Sequence, residues 1–167
     1  MTAQNAAKGH RQRETRTVVE NRQARYLYSV EDTFEAGLML EGWEVKAILA
    51  GQATFNGGAA FIRLINGEAF LDGVTITPLK QALQGAFADC NPTRLRKLLL
   101  KRTELAKLAR RVDERGYTLV PLALTYGYKL KLQLGLARGK KQVDKRDTVK
   151  ARDQDRDLAR DLKTLRG

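Results

Sequence analysis

The amino-acid sequence predicts an α+β domain that is mainly β: a small antiparallel β-barrel with two or three flanking helices and a basic C-terminal tail. Two observations lead to this fold class. Several segments alternate between apolar and polar residues with period two, which is typical of half-buried strands. The chain has 167 residues, which is enough for one domain and too few for two well-built domains. Its residues are 43% hydrophobic, so it can form a hydrophobic core.

The first predicted strand starts at Tyr26, where the alternation begins. Farther along the chain, strands are predicted over residues 60–66 and 68–76. They flank Asn66-Gly67, which is the strongest short sequence signal for a two-residue hairpin turn.

A second pair of strands is predicted over residues 117–124 and 128–137, on either side of a turn at residues 125–127. The last of these strands has one apolar face and one basic face, so we expect it to be half-buried with a basic outer side. The apolar face consists of Tyr128, Leu130, Leu132, Leu134 and Leu136, and the other face consists of Lys129, Lys131 and Gln133.

Two helices are predicted between the strands. The first covers residues 42–50 and ends at Gly51. The second has Asn91 as its N-cap and Pro92 in its first turn, and it continues to Arg115.

The second predicted helix has an apolar stripe, and Leu99 lies off that stripe, toward the basic side. The stripe that we expect to face the core consists of Leu98, Leu105, Leu108, Ala109 and Val112. The order of strands and helices, together with the chain length, favours a barrel of the oligonucleotide-binding type.

The two ends of the chain have few large apolar residues, so neither end can bury enough surface to offset its chain entropy. We therefore expect a flexible basic N-terminal extension over residues 1–19 and a folded domain over residues 20–139. Residues 140–167 are expected to form a basic tail that is disordered in the free protein.

The chain is strongly basic, with 31 Lys and Arg against 19 Asp and Glu, and a net charge of +12. The excess lies in residues 90–167, which carry 22 of these basic residues and nine of the acidic ones. Such an asymmetric charge indicates a polyanionic partner. The chain has no run of about 18 apolar residues and no apolar stretch near its first residue, so we expect a cytoplasmic protein that does not enter a membrane.

The residues that enzymes most often use are scarce. The sequence has one His, one Cys and one Ser, so it predicts no metal site, no cofactor and no catalytic residue. Residues 135–141 resemble a phosphate loop only superficially, because the spacing is wrong and no Ser or Thr follows the lysines. Five acidic residues, Glu31, Asp32, Glu35, Glu41 and Glu44, could supply paired carboxylates, but a solvated acidic face is the favoured interpretation.

The lysines of the last strand and of the following segment are predicted to form one positive track for RNA phosphates. These residues are Lys129, Lys131, Lys140 and Lys141. An acidic side chain beside such a track can accept hydrogen bonds from bases.

Four blocks of sequence closely resemble the SsrA-binding protein family, also called small protein B. They begin at Asn21 (NRQARYLYSVEDTFEAGLMLEGWEVKAILAG), Asp89 (DCNPTRLRKLLL), Gly116 (GYTLVPL) and Gly139 (GKKQVDKR). The resemblance covers residues 18–155 in order. It implies a non-enzymatic RNA-binding protein with an oligonucleotide-binding barrel, which binds the tRNA-like domain of transfer-messenger RNA and brings it to stalled ribosomes for trans-translation.

The resemblance also implies particular residues and partners. RNA contacts fall on Asn21, Glu35 and Leu99, and we count the neighbouring Arg22 with them. A tail motif for the ribosomal decoding centre falls on Asp144, Lys145 and Arg146. The implied partners are transfer-messenger RNA, elongation factor Tu, and the decoding centre and message channel of the stalled ribosome. The tail would become helical in this channel. The protein is expected to be a monomer. A ribosomal or ribosome-assembly protein that binds rRNA is the alternative.

Overall fold

The computed structural model describes residues 14–56, 59–84, 90–114, 116–140 and Arg156. Within these residues the fold is mainly β, with antiparallel strands and three α-helices. This confirms the predicted α+β, mainly β class.

Seven strands form one antiparallel sheet in the order β1-β8-β9-β2-β7-β5-β4, and β3 pairs with β6 in a separate two-stranded sheet. The strands are β1 (Arg16–Glu20), β2 (Tyr28–Leu38), β3 (Ala53–Phe55), β4 (Phe61–Ile65), β5 (Glu68–Asp72), β6 (Val74–Ile76), β7 (Arg96–Leu99), β8 (Tyr117–Tyr126) and β9 (Leu130–Gly139).

The predicted closure into a barrel is not confirmed, because β1 and β4 stand at opposite ends of the hydrogen-bonded order of described strands. The sheet is strongly curved, however, and β4 comes within 8 Å of β8, measured between Cα atoms. The described strands thus form a curved, open sheet.

The three helices are α1 (Arg22–Leu27), α2 (Gly42–Leu49) and α3 (Arg102–Val112), and a short 3-10 helix covers Ala82–Gln84. Helix α2 confirms the first predicted helix, which ends with Gly51 at a positive φ of 81°. Helix α1 was not predicted, because its six residues are too few for a clear apolar period.

The two predicted hairpins are both present. Asn66 and Gly67 connect β4 to β5 with φ angles of 52° and 75°, as a type I′ turn requires. The strand predicted over 68–76 is broken at Gly73, which has a φ of 75°. The chain turns at Gly73 and its next residues enter the smaller sheet, and the turn requires glycine because a Cβ there would clash with the backbone of Ala59.

The last hairpin joins β8 to β9, and the leucines of β9 alternate into the core as predicted. Leu132, Leu134 and Leu136 are fully buried. Tyr128 was predicted on the same apolar face, but this is wrong: it lies in the turn before the strand begins and is 83% exposed.

The second predicted helix is wrong over its first ten residues. The Asn91 side chain accepts hydrogen bonds from the backbone N–H and the hydroxyl of Thr93, which forms a local turn and no helix cap. The next segment forms β7, which pairs with β2 and β5. Only α3 remains of this helix, and Leu105, Leu108 and Val112 on it pack toward the core.

The predicted boundary between N-terminal extension and folded domain also differs from the structure. Four of the five residues of β1 (Arg16–Glu20) lie within the extension predicted over residues 1–19, yet most of this strand pairs with β8. Sequence alone missed it because the segment is short and largely exposed.

A buried ion-pair cluster fixes the start of β7. Arg96 is 1% exposed and donates to Oε1 of Glu44 at 2.9 Å, while Glu44 is fully buried. The same guanidinium group donates to the carbonyl oxygens of Val74, Arg94 and Pro92 at 2.8–3.0 Å. The cluster therefore joins α2, β6 and β7 and satisfies the buried groups with hydrogen bonds.

The pKa values of this pair follow from its environment. Burial alone would raise the pKa of Glu44, but hydrogen bonds from Arg94 and the Glu41 backbone, and the charge of Arg96, lower it below its ordinary value. Burial lowers the pKa of Arg96, and the adjacent Glu44 carboxylate opposes this shift. Glu44 is therefore ionised in the folded protein. It is also fully buried, so the solvated position that the sequence predicted for it is wrong.

Candidate nucleic-acid interface

One row of residues runs across three strands on the side of the sheet that faces away from the main core. Gly37 of β2 is paired with Leu99 of β7 on one side and with Lys131 of β9 on the other. Paired residues of antiparallel strands point to the same face. We call this face, with Glu35 two residues before Gly37, the outer face.

Leu99 is exposed at the β7 end of this row on the outer face. Its relative exposure is 52%, although its neighbour Leu98 is buried at 2%. Gly37 has no side chain, and a Cβ at this position would lie 3.2 Å from the Leu99 Cβ. The glycine therefore leaves the side of Leu99 open toward Lys131.

Glu35 and Lys131 form an ion pair beside this leucine, with 2.9 Å between Lys131 Nζ and Glu35 Oε2. The two side chains are 47% and 51% exposed. An exposed pair of this kind contributes only about 0–1 kcal/mol to folding, so both groups are accessible to a charged ligand at little cost.

Asn21 is buried at 3% exposure and caps α1. Its Oδ1 accepts from the Ala24 backbone N–H, and its Nδ2 donates to the carbonyl oxygen of Pro121 at 2.9 Å. Its own backbone N–H donates to the carbonyl oxygen of Leu122. The structure therefore places Asn21 as the residue that fastens α1 to β8, and not as an exposed RNA contact.

The opposite end of α1 is held by Lys140. Its Nζ donates to the carbonyl oxygen of Arg25, and its backbone N–H donates to that of Leu27. A lysine at this place satisfies carbonyl groups at a helix C-terminus. Arg22, the first residue of α1, is exposed between these two anchor points.

The turn between β8 and β9 carries exposed aromatic and basic groups. Lys129 Nζ lies 6.0 Å from the Tyr128 ring centre, and the Arg16 guanidinium lies 5.8 Å from the Tyr126 ring centre. Tyr126 is half-buried against the core, whereas Tyr128 is exposed. An exposed aromatic ring beside a cation, such as Tyr128 beside Lys129, suits stacking and phosphate contacts with single-stranded nucleic acid.

The structure thus brings Glu35, Leu99 and Lys131 together on the outer face, with α1 on the same side of the sheet. Lys129 lies at one end of this surface and Lys140 at the other. The remaining predicted residues, which are Lys141, Asp144, Lys145 and Arg146, lie outside the residues that the structure describes.

Sequence reasoning missed a second cluster, around Tyr117. The guanidinium groups of Arg111 and Arg138 lie 4.6 and 4.2 Å from the centre of the Tyr117 ring, and the Tyr117 hydroxyl donates to Glu31. The three partners come from α3, β9 and β2, so no local pattern in the sequence could show this arrangement. The sequence showed only that one aromatic, two basic and one acidic residue were present, and not that they lie together.

No group of three or more His, Cys, Asp or Glu residues in the described ranges could hold a metal ion. Among those same residues, none of the helices has the length and apolar character needed to cross a membrane.

A curved antiparallel sheet whose outer face carries Lys131, Glu35 and an exposed Leu99 is typical of a nucleic-acid-binding protein. The chain matches the family model described as SmpB protein over residues 18–164, and it belongs to that family. This confirms the family resemblance noted in the sequence.

Relatives and a solved structure agree with this membership. The chain is 48% identical to the SsrA-binding protein of Roseiflexus sp. (strain RS-1), over 89% of this chain and 92% of that protein. It is 50% identical to the SsrA-binding protein of Paraburkholderia xenovorans (strain LB400), over 86% of this chain and 95% of the relative. A solved structure described as "tmRNA-SmpB: a journey to the center of the bacterial ribosome" is 41% identical, with a TM-score of 0.60, and the match covers 76% of this chain and 87% of that chain.

Proposed function

We propose that this protein binds the tRNA-like domain of transfer-messenger RNA and delivers it to stalled ribosomes for trans-translation. The observation that most supports this proposal is that Leu99 is exposed on the outer face. Gly37 has no side chain that would cover Leu99 on the side toward Lys131. Family membership supports the choice of RNA, because the related proteins are named for SsrA binding.

Each group on the outer face has a role in this proposal. The Leu99 side chain packs against a base or ribose, which a charged surface alone would not accommodate. Glu35 accepts hydrogen bonds from base amino groups, and Lys131 binds phosphate once its weak ion pair opens. Asn21 acts indirectly, because it holds α1 beside this face.

The remaining parts of the proposal concern the partners. Elongation factor Tu joins the delivery complex, the protein acts as a monomer in the cytoplasm, and the curved sheet functions as an oligonucleotide-binding barrel. Lys140 and Lys141 continue the positive track to Asp144, Lys145 and Arg146, which contact the decoding centre of the small ribosomal subunit. The following residues of the tail enter the empty message channel.

Affinity capture of the full chain from its own cells, followed by RNA sequencing, tests the choice of RNA. The proposal predicts that transfer-messenger RNA dominates the captured RNA after removal of intact ribosomes. Bulk rRNA without this enrichment would contradict it and would favour a ribosomal or ribosome-assembly protein.

Truncation after Val143 tests delivery separately. The truncated protein should keep most of its affinity for the isolated RNA, because the outer face is intact, but it should lose tagging of nascent chains on stalled ribosomes. Normal tagging without residues 144–167 would contradict the role of the tail.

A further inference from the structure

A surface cleft of about 410 Å³ lies beside α1 on the same side of the sheet as Leu99, toward the end where β9 finishes. Its walls come from α1, from the first half of β2 and from Lys140. Among the described residues, none of the RNA contacts that the family resemblance implies lines this cleft, whereas Lys140 of the predicted positive track does. A volume of this size is at the lower end of small-molecule sites, which suits one nucleotide and excludes a base-paired stem.

The floor of the cleft is apolar and depends on a glycine. Val30 and Leu122 form the floor, and both pack in a small cluster with Ala24. A Cβ at Gly135 would lie 2.8 Å from Val30 Cγ1 and 3.2 Å from Leu122 Cδ1. Because Gly135 has no side chain, Val30 and Leu122 can pack directly against the backbone of β9, which leaves the space of the cleft above them open.

Two strand irregularities direct side chains into the cleft. The pairing of β2 with β9 shifts between Val30 and Asp32, and that of β8 with β9 shifts between Pro121 and Ala123. Side chains three residues apart on a regular strand point to opposite faces, yet Val30 and Thr33 both line the cleft. A bulge re-aims side chains in this way, and bulges are frequent at functional sites.

The rim supplies hydroxyl and cationic groups. Ser29 and Thr33 are exposed, and Tyr28 is half-buried opposite Gly139, which has open space above it. The Arg25 side chain is 58% exposed, and its nearest acidic partner is 3.9 Å away. An apolar floor with hydroxyls and cations at its edge matches a base, a ribose and a phosphate, in that order.

We propose that this cleft binds one unstacked nucleotide of the RNA partner, with the base against Val30 and Leu122 and the phosphate beside Arg25. The inference deepens the proposed function and rests on it. Thr33 lies two residues before Glu35, so the RNA strand continues directly from the outer face into the cleft.

Two variants test the cleft by adding negative charge at its rim. Thr33→Glu and Ser29→Glu should each weaken binding of a transcript of the tRNA-like domain by about tenfold or more, because a carboxylate repels the phosphate and fills the space of the ribose. Thr54→Glu is the matched control, since Thr54 is an exposed threonine on β3 in the other sheet and the change in net charge is the same. It should change the affinity by less than about twofold.

The outcomes separate the two claims. If the wild-type protein shows no preference for this transcript over an unrelated RNA of equal length, the proposed function fails. If the wild-type protein shows that preference but the cleft variants bind like Thr54→Glu, the cleft proposal alone is overturned. Thermal unfolding checks each variant, and should Thr33→Glu not fold, the Ser29→Glu variant at the exposed start of β2 decides the result.

A further arm asks whether the ligand is a free nucleotide. Adenosine and cytidine 5′-monophosphate are added to the wild-type protein and amide chemical shifts are recorded. The proposal predicts weak, saturable shifts at Ser29 and Thr33 that the RNA transcript displaces. Tight binding of a free nucleotide that the RNA does not displace would assign the cleft to a separate ligand and overturn the proposal.

Discussion

Two glutamates from one acidic stretch of the sequence have opposite environments. Glu35 is about half exposed and makes an ion pair with Lys131 on the outer face. Glu44, nine residues later, has no exposed surface and accepts hydrogen bonds from Arg94, Arg96 and the Glu41 backbone. The same residue type therefore serves as an accessible group in one region and as a structural anchor in the other.

The difference shows that exposed charged residues of this protein are available for binding, whereas buried ones stabilise the fold. An exposed pair contributes little to stability, so its groups are available to a ligand. A buried pair is costly to break, since the remaining charge is left without a partner in the interior. The anchor also positions the ligand-binding strand, because Arg96 and Leu99 are the first and last residues of β7.

The largest expected effect is on folding. Glu44→Ala should lower the free energy of unfolding by about 3–5 kcal/mol, because Arg96 would be left buried and unpaired. Glu35→Ala is the matched control and should cost less than about 1 kcal/mol. Urea unfolding of both variants measures the two values, and equal losses would remove the distinction between the two glutamates.

The pH dependence of stability sharpens the comparison. The pKa of Glu44 is lowered in the folded state, so its contribution is present above the unfolded-state pKa, about 4.3, and is lost as the pH falls through the folded value. Unfolding free energies measured between pH 3 and pH 7 should therefore fall toward acid pH. Glu44→Gln should flatten this dependence.

A smaller effect is expected in the salt dependence of RNA binding. Lys131→Gln should change the free energy of unfolding by less than about 1 kcal/mol, because its ion pair is exposed. The slope of log affinity against log salt should become shallower by about 0.7–0.9, the value for one lost phosphate contact. An unchanged slope would show that Lys131 does not reach a phosphate.

The sequence predicted those parts of the fold that depend on local patterns. The Asn66-Gly67 turn and the alternating leucines of β9 follow directly from short-range geometry, and both are present. The segment at Arg96–Leu99 resembles a helix by composition, but Arg96 finds a buried partner in α2 and Leu98 a place in the core. Such long-range contacts override local propensity, so sequence alone gave the wrong element there.

The candidate site shows a similar division. Leu99 was expected off the core stripe of a helix, and it is indeed exposed, though on a strand. Asn21 was expected to contact RNA, but its side chain is used by the backbone of α1 and β8. The role of a single side chain depends on which backbone groups lie near it, and only the assembled fold shows this.

The most direct test of the account is the RNA affinity of Leu99→Asp. This substitution is on the exposed outer face, so the free energy of unfolding should stay within about 0.5 kcal/mol of the wild type. The dissociation constant for a transcript of the tRNA-like domain, measured at fixed salt, should rise about tenfold or more, as expected for the loss of an apolar contact and the addition of a charge facing RNA. Wild-type affinity in a fully folded Leu99→Asp protein would contradict the assignment of the outer face as the RNA-binding surface.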